Sequence, residues 1–367
     1  MAPLTHIEAA LLLEQLISTP SLSREEDATA DLLVDFLQKQ GITPHRHYNN
    51  VWACAGHYDT RKPTLLLNSH HDTVKPWNIE DEAKSSEDAI YPPFTPIRND
   101  NRLYGLGSND AGASVVSLLT TFCHYHSTPL PFNLILLLSA EEEISGSKGI
   151  RSMLPLWQQQ GINIDMAIVG EPTGMNIAIG ERGLVVIDAH AQGIRGHAAR
   201  NEGENAIYKA LTDIQTLQHL HFDKQSKLLG PITINVTQIQ AGFQHNVVPD
   251  QCHFVIDIRT TDAYTNEELV SMLQEKLSSK LTPRSTHIRA SSISHNHPLI
   301  IAAQQMGSTL FVSPTTSDMA LMPFPSIKVG PGKSERSHSK NEYIELHEIK
   351  HAINYYDKYI QTLANNL

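Results

Sequence analysis

A small set of residues on separate short motifs has the types that hold divalent cations or move protons. His70-His71-Asp72 follows the apolar run Leu65-Leu66-Leu67, and Asp110 closes Gly105-Leu106-Gly107-Ser108-Asn109-Asp110. Glu141-Glu142-Glu143 follows Leu136-Leu137-Leu138, Glu171 sits in Val169-Gly170-Glu171-Pro172-Thr173, and His338 lies near the end of the chain. Two imidazoles and three carboxylates suit a pair of divalent metals that share one bridging carboxylate. One further glutamate is then left for proton transfer. That is the inventory needed for metal-assisted hydrolysis of an amide.

Each motif also has a plainer reading. In an extended segment residues i and i+2 point to one side, so Asp72 can reach the second ring nitrogen of His70 and fix its tautomer; the alternative is a polar strand end. His71 points the other way and reads as structural. Asp110 could be an N-cap or first-turn aspartate. Glu142 and Glu143 could be the acidic first turn of a helix, and three glutamates in a row leave the assignment open by one position. Glu171 could be a turn carboxylate. His338, in the loop Gly330-Pro331-Gly332-Lys333-Ser334-Glu335-Arg336-Ser337-His338, could be an exposed histidine, one of 20 in the chain. The argument for a site rests on the set, not on any member.

The elements that must position these residues alternate. Thr5 can cap a helix from His6 to Ile17, which Pro20 ends. Ser23 with Glu26 reads as a capping box for a second helix whose stripe is Leu32, Leu33, Phe36 and Leu37, with Gly41 at its C′ position. Thr64 to Leu67, Phe132 to Leu138 and Met166 to Val169 are nearly all apolar, as strands buried on both faces are, and Ala111 to His126 predicts a helix between the first two. This pattern predicts an α/β fold with a mixed, mostly parallel sheet. Ligands in such folds sit beyond the carboxyl ends of strands, where His70, Glu142 and Glu171 fall.

From about Glu181 to Ser291 the pattern changes. Leu184 to Ala191, Ile232 to Ile239 and Phe254 to Ile258 alternate or are β-branched, and Glu204 to Leu217 and Asn266 to Leu277 read as helices. The order predicts β-α-β-β-α-β, a small ferredoxin-like sheet with helices on one face. The predicted division is residues 1–180 for the first part of one domain, 181–291 for an inserted α+β domain, and 292–367 for the remainder of the first. Glu80, Asp81, Glu82, Glu87 and Asp88, followed by Pro92-Pro93, read as a solvated loop.

Composition narrows the classes. A chain of 367 residues has room for two domains. No apolar run approaches the roughly 20 residues of a membrane helix, and the N-terminus lacks the basic and apolar regions of a secretory signal. Three scattered cysteines with no CxxC pair argue against a disulfide framework. These features predict a cytoplasmic protein. The formal charge is −11 with no basic stripe, so neither nucleic acid nor membrane is an expected partner. Carboxylates gathered around two cations would account for part of that acidity.

Further motifs share the same order: Ser69-His70-His71-Asp72-Thr73-Val74, Gly107-Ser108-Asn109-Asp110, Gly170-Glu171-Pro172-Thr173, Arg195-Gly196-His197, Asn246-Val247-Val248-Pro249-Asp250, Asp257-Ile258-Arg259, Thr316-Ser317-Asp318 and His338-x-x-Asn341-Glu342. Together they resemble the zinc aminoacylase and metallopeptidase family of acetylornithine deacetylase, succinyl-diaminopimelate desuccinylase and the glutamate carboxypeptidases, from about residue 7 to residue 358. The resemblance implies a zinc-dependent exopeptidase-like catalytic domain and an inserted domain that mediates homodimerisation. It implies two Zn²⁺ per subunit, with cobalt or manganese as alternatives: His70 and Glu171 on one, Glu143 and His338 on the other, Asp110 bridging. Asp72 would support His70, Glu142 would be the general acid/base, and His197 would reach into the partner's site. Asn246, Arg259 and Gly332 match substrate-binding positions. Glu141 stands where aspartate is usual, and Lys75 intrudes before Pro76.

The expected reaction is hydrolysis of an N-acyl amino acid. Motif spelling is closest to acetylornithine deacetylase, an enzyme of arginine biosynthesis. The alternatives are N-acetylcitrulline or N-succinylornithine as substrate, succinyl-diaminopimelate desuccinylase, a cytosolic dipeptidase, or, in a different class, a non-catalytic relative that binds an amino-acid derivative.

Overall fold

The computed structural model describes residues 3–76, 91–200 and 202–367. The acidic segment from Glu80 to Asp88 lies outside them. The chain forms two compact units. The first comprises Met1–Ile179, Ile293–Phe311 and Ser317–Leu367; the second comprises Gly180–Ser292 and Val312–Thr316. Among the described residues no helix is long and apolar enough to cross a membrane.

The first unit is built on a mixed sheet. Strand β1, Thr64–His70, lies between β2, Asn133–Ser139, and β3, Met166–Val169, parallel to both. Strand β4, Ser326–Lys328, extends the sheet beside β3, also parallel. Asn50–Cys54 runs antiparallel to β2, and Ile177–Glu181 runs antiparallel to β4. Every residue of β1, β2 and β3 is buried, the condition that their unbroken apolar sequences require. On one face Trp52, Leu66, Ile135 and Leu137 pack with Met153 and Trp157. The two indole rings meet edge to face at 5.9 Å, and burial of each such side chain contributes about 1.5–3 kcal/mol. Helix α1 (His6–Ser18), helix α3 (Ala113–Tyr125) and the C-terminal helix α5 (Leu346–Ala364) pack together, and α3 rests on β1 and β2. Between them in sequence lie α2 (Asp27–Lys39) and α4 (Ile150–Gln159).

Thr5 and Glu8 form a reciprocal capping box on α1. The box expected from Ser23 and Glu26 does not form: α2 begins at Asp27 and Glu26 makes no side-chain cap bond. The Ser23 hydroxyl instead donates to Asp72 Oδ2 at 2.7 Å, and Glu26 Oε1 accepts the Arg24 and Glu141 N–H groups.

The second unit is a four-stranded antiparallel sheet in the order Thr233–Ala241, Gln251–Thr260, Gly183–Gln192, Lys280–Pro283. Helices Ala206–Gln218 and Asn266–Lys276 complete the order strand, helix, strand, strand, helix, strand. Val185, Ile187, Phe254, Ile256 and Leu273 form its core, and the alternating burial of Gly183–Gln192 shows a sheet covered on one face. A short ladder pairs Gly196–His197 with Val247–Val248.

Candidate metal centre

Parallel pairing sets the carboxyl ends of β1, β2 and β3 side by side, His70 opposite Ser139. Each strand end delivers cluster residues: His70 from β1, Glu142 and Glu143 after β2, and Glu171 after β3. His70 is buried, and its Nδ1 lies 3.0 Å from the Asp72 main-chain oxygen and 3.4 Å from Asp72 Oδ1. A carbonyl can only accept, so Nδ1 carries a proton and Nε2 is the nitrogen left to serve the cluster. Nε2 faces Asp110 Oδ1 at 3.3 Å, Glu171 Oε1 at 3.8 Å and Glu142 Oε2 at 3.9 Å. The other imidazole, His338, places Nε2 3.0 Å from Glu143 Oε1 and 3.5 Å from Asp110 Oδ2. Asp110 therefore turns one oxygen to each histidine. Two ligands on one tetrahedral ion, each about 2.0–2.1 Å from it, stand about 3.3 Å apart, so these spacings suit shared cations.

After β2 the chain makes the tight turn Glu142–Ile144, flanked by Glu141 at φ 55° and Ser145 at φ 47°. Asp72 holds this turn: Oδ1 accepts the Glu142 N–H at 3.0 Å and Oδ2 the Glu143 N–H at 3.2 Å. The turn resolves the run of three glutamates. Glu141 points away, accepting the Lys148 N–H at 3.1 Å, while Glu142 and Glu143 point into the cluster. Asp110 lies in the turn Ser108–Gly112 before α3 with φ −118° and ψ 97°, so it is neither a cap nor a first-turn residue; the peptide bond after it is cis. His71 is structural, its ring bracketed by Thr29 Oγ1 and the Asn49 carbonyl.

Two overlapping trios have donor atoms all within 4.8 Å of one another: His70, Asp110 and Glu143, and His70, Glu142 and Glu171. Both centre on His70, and the second includes the glutamate expected to move protons. Asp110 approaches both His70 and His338, whereas Glu142 and Glu171 approach His70 alone, at 3.9 and 3.8 Å. Glu171 Oε1 is buried with no hydrogen-bond partner, an orphan acceptor that a cation would satisfy. Nitrogen and carboxylate donors without sulfur fit Zn²⁺, Co²⁺ or Mn²⁺.

Electrostatics support the same conclusion. Burial pushes Glu142 well above the ordinary carboxylate range and Glu171 up to about 8, against the pull of His70. For Asp110 and Asp72 burial also works upward, yet the hydrogen bonds to His70 hold both below their ordinary values. The Glu143 hydrogen bond raises His338 to about 9. Burial works to lower His70, but the Glu142 charge and the Asp110 hydrogen bond carry it well above normal. Without cations, the cluster takes protons in their place.

Three further buried residues serve this region. Asp318 Oδ2 accepts the Ser139 hydroxyl at 2.6 Å, and burial raises its pKa to about 6. Glu342 Oε1 accepts the Asn109 and Asp110 N–H groups at 2.9 Å each; burial raises Glu342 to about 8. Lys328 is buried on β4, where its charge acts on Glu171. Asp318 and Glu342 lie in motifs visible in the sequence, but nothing local marks them as buried. Gly332 lies against Asn109 in the loop before His338. His197, Asn246 and Arg259 belong to the second unit. Val247, next to Asn246, pairs with His197, and Arg259 gives Nε and Nη2 to its neighbour Asp257 at 2.9 and 3.2 Å.

Imidazoles and carboxylates gathered at the strand ends of a mixed sheet are a donor set that metal-dependent hydrolases use. The sequence profile of peptidase family M20/M25/M40 matches residues 66–362. The chain belongs to this family and is a hydrolase. It is 29% identical over 283 residues to succinyl-diaminopimelate desuccinylase of Delftia acidovorans, covering 72% of this chain and 70% of that one. Its fold matches an M20 family metallo-carboxypeptidase from Sulfolobus solfataricus, with TM-score 0.74, 18% identity, and 98% and 99% of the two chains covered. It also matches Bacillus subtilis YXEP, a dinuclear metal binding peptidase of the M20 family, with TM-score 0.70, 16% identity and 99% of both chains covered.

Proposed function

We propose that this chain hydrolyses the amide bond of an N-acyl amino acid with two divalent cations, zinc in the first instance. The observation that carries the reading is Asp110, whose two oxygens face the two imidazoles separately. When bound, the cations supply Lewis-acid polarisation of the substrate carbonyl and bring the pKa of a water toward neutrality. His70 and Glu171 would hold one cation, Glu143 and His338 the other, and Asp110 would serve both. Asp72 fixes the His70 tautomer and the turn that aims Glu142. Glu142 removes the proton from the attacking water and returns it to the departing amine. His197, by its motif, donates to the developing oxyanion from a second copy of the chain in a homodimer. Asn246, Arg259 and Gly332 orient substrate, with the guanidinium read as a fork for a substrate carboxylate.

The acyl group is proposed to be succinyl. The desuccinylase relative supports this over N-acetylornithine, which rests on motif spelling alone. The test is a panel of N-succinyl and N-acetyl derivatives of diaminopimelate, ornithine and citrulline, assayed for released amine. A succinyl preference above about tenfold in kcat/KM, roughly 1.4 kcal/mol of transition-state binding, is expected. A preference of that size for acetyl would return the assignment to acetylornithine deacetylase. Absence of turnover, together with failure to take up zinc, would leave a binding protein.

A further inference from the structure

The loops carrying Asp110 and His338 each send one side chain onto the other's backbone. Glu342, four residues past His338, is 1% exposed. Its Oε1 accepts the N–H groups of both Asn109 and Asp110. In the opposite direction Asn109 is also fully buried. Its Oδ1 accepts the Lys333 N–H at 3.0 Å, and its Nδ2 donates to the Lys333 carbonyl at 3.1 Å and the Ser337 hydroxyl at 3.2 Å. Neither residue belongs to the trios of converging donor atoms, and the hydrolysis proposed above asks no chemical step of either.

The contacts tie the two loops together beyond the point where their flanking strands pair. Asp110 and His338 stand on irregular loops more than two hundred residues apart in sequence; an antiparallel ladder, Arg102–Tyr104 with Tyr343–Glu345, joins the roots of the two loops but stops at Tyr104 and Tyr343, short of both residues. Buried hydrogen bonds onto backbone groups hold a loop far more tightly than exposed ones. One buried oxygen that collects the N–H groups of two adjacent residues holds both amides at once. We infer that Glu342 and Asn109 form a crosswise clasp that sets the spacing between Asp110 and His338, and that Glu342 is a positioning residue of the metal centre. The inference rests on the proposed metal reading for its consequence, and on the loops alone for its geometry.

Two measurements on wild type, Glu342→Gln and Glu342→Ala separate these. The first is hydrogen exchange of the Asn109 and Asp110 amides in metal-free protein. The second is titration with Co²⁺, followed by its visible absorption, and with Zn²⁺ against a competing chelator. The glutamine amide oxygen can still accept both N–H groups, so Glu342→Gln should keep protection and affinity within about threefold of wild type. Glu342→Ala should speed exchange by about tenfold or more. It should also weaken metal uptake roughly 10–100-fold, with an altered cobalt spectrum. Unchanged exchange and affinity in the alanine variant would overturn the clasp, and so would equal losses in both variants. If wild type took up no metal, the metal reading would fail while the exchange comparison still decided the clasp. Should Glu342→Ala not fold, Asn109→Ala opens the clasp from the other side and is expected to give the same two effects.

Discussion

His70 and Asp72 are joined twice, through the main-chain oxygen of Asp72 at 3.0 Å and through its Oδ1 at 3.4 Å. The carbonyl sets the tautomer, so the carboxylate is free for other work. That work is the Glu142–Ile144 turn, whose first two N–H groups it accepts, and the Ser23 hydroxyl. One fully buried aspartate thus ties His70 to Glu142 and Glu143.

Replacing Asp72 by alanine should therefore do more than loosen His70. Two backbone N–H groups and one hydroxyl lose their acceptor in a buried setting, each costing about 1–3 kcal/mol. Asp72→Ala should lower the thermal midpoint and abolish tight zinc uptake. Asp72→Asn, which retains one acceptor oxygen, should fold and bind metal more weakly than wild type. Calorimetry and metal analysis check this; an alanine variant with wild-type midpoint and metal content would refute the shared role.

Glu142 and Glu143 are adjacent but aimed differently, which predicts different losses. Glu143→Gln removes a charge from the pair it makes with His338 at 3.0 Å and should reduce both metal affinity and rate. Glu142→Gln should keep two metals and lose about 10²–10⁴-fold in kcat, the range expected for a positioned proton-transfer group. Metal content by elemental analysis beside steady-state kinetics separates them, and two variants with full metal and normal rates would sink both assignments.

Much of this centre could be read from the sequence because strand ends are local events. Apolar runs mark β1, β2 and β3, and the polar residue after each run must leave the sheet at its carboxyl edge. What could not be read is anything decided by tertiary competition. Ser23 and Glu26 have the spelling of a capping box, yet both are drawn to the turn around Glu141 and Asp72. Glu342 and Asp318 look like ordinary loop and turn acids until their partners, Asn109 and Ser139, arrive from far along the chain. The three-glutamate ambiguity was likewise beyond local sequence, since it is settled by a left-handed backbone at Glu141.

Away from the centre, His124 on α3 gives a pH dependence whose sign is fixed. Its Nδ1 faces Asp357 Oδ2 at 3.1 Å and its Nε2 the Leu4 carbonyl at 2.8 Å. Both nitrogens meet acceptors, so the charged ring is favoured, and the Asp357 hydrogen bond raises its pKa above 6.5. A histidine raised on folding contributes stability that is fully present below its unfolded pKa and is lost as pH rises through the folded value. The thermal midpoint of wild type should exceed that of His124→Asn most below pH 6.5, and the gap should narrow as pH rises above it. A gap independent of pH would show that the ring acts only by packing.

Gly332 and Gly161 offer a matched pair, because both have left-handed backbones, at φ 84° and 72°, but different surroundings. A Cβ on Gly161 meets nothing within 4 Å, whereas one on Gly332 comes within 2.2 Å of Asn109 Oδ1. Alanine at either position incurs about 1–2 kcal/mol of backbone strain. Only at Gly332 must the Asn109 amide also move, and with it the bonds to Lys333 that hold the loop before His338. Gly161→Ala should lower the thermal midpoint by a few degrees and leave kcat/KM unchanged. Gly332→Ala should lower the midpoint similarly and reduce kcat/KM by about tenfold or more, the scale of a small misplacement at a reacting centre. Equal activity in the two variants would show that the loop tolerates displacement of Asn109, and that the spacing of Asp110 and His338 does not depend on it.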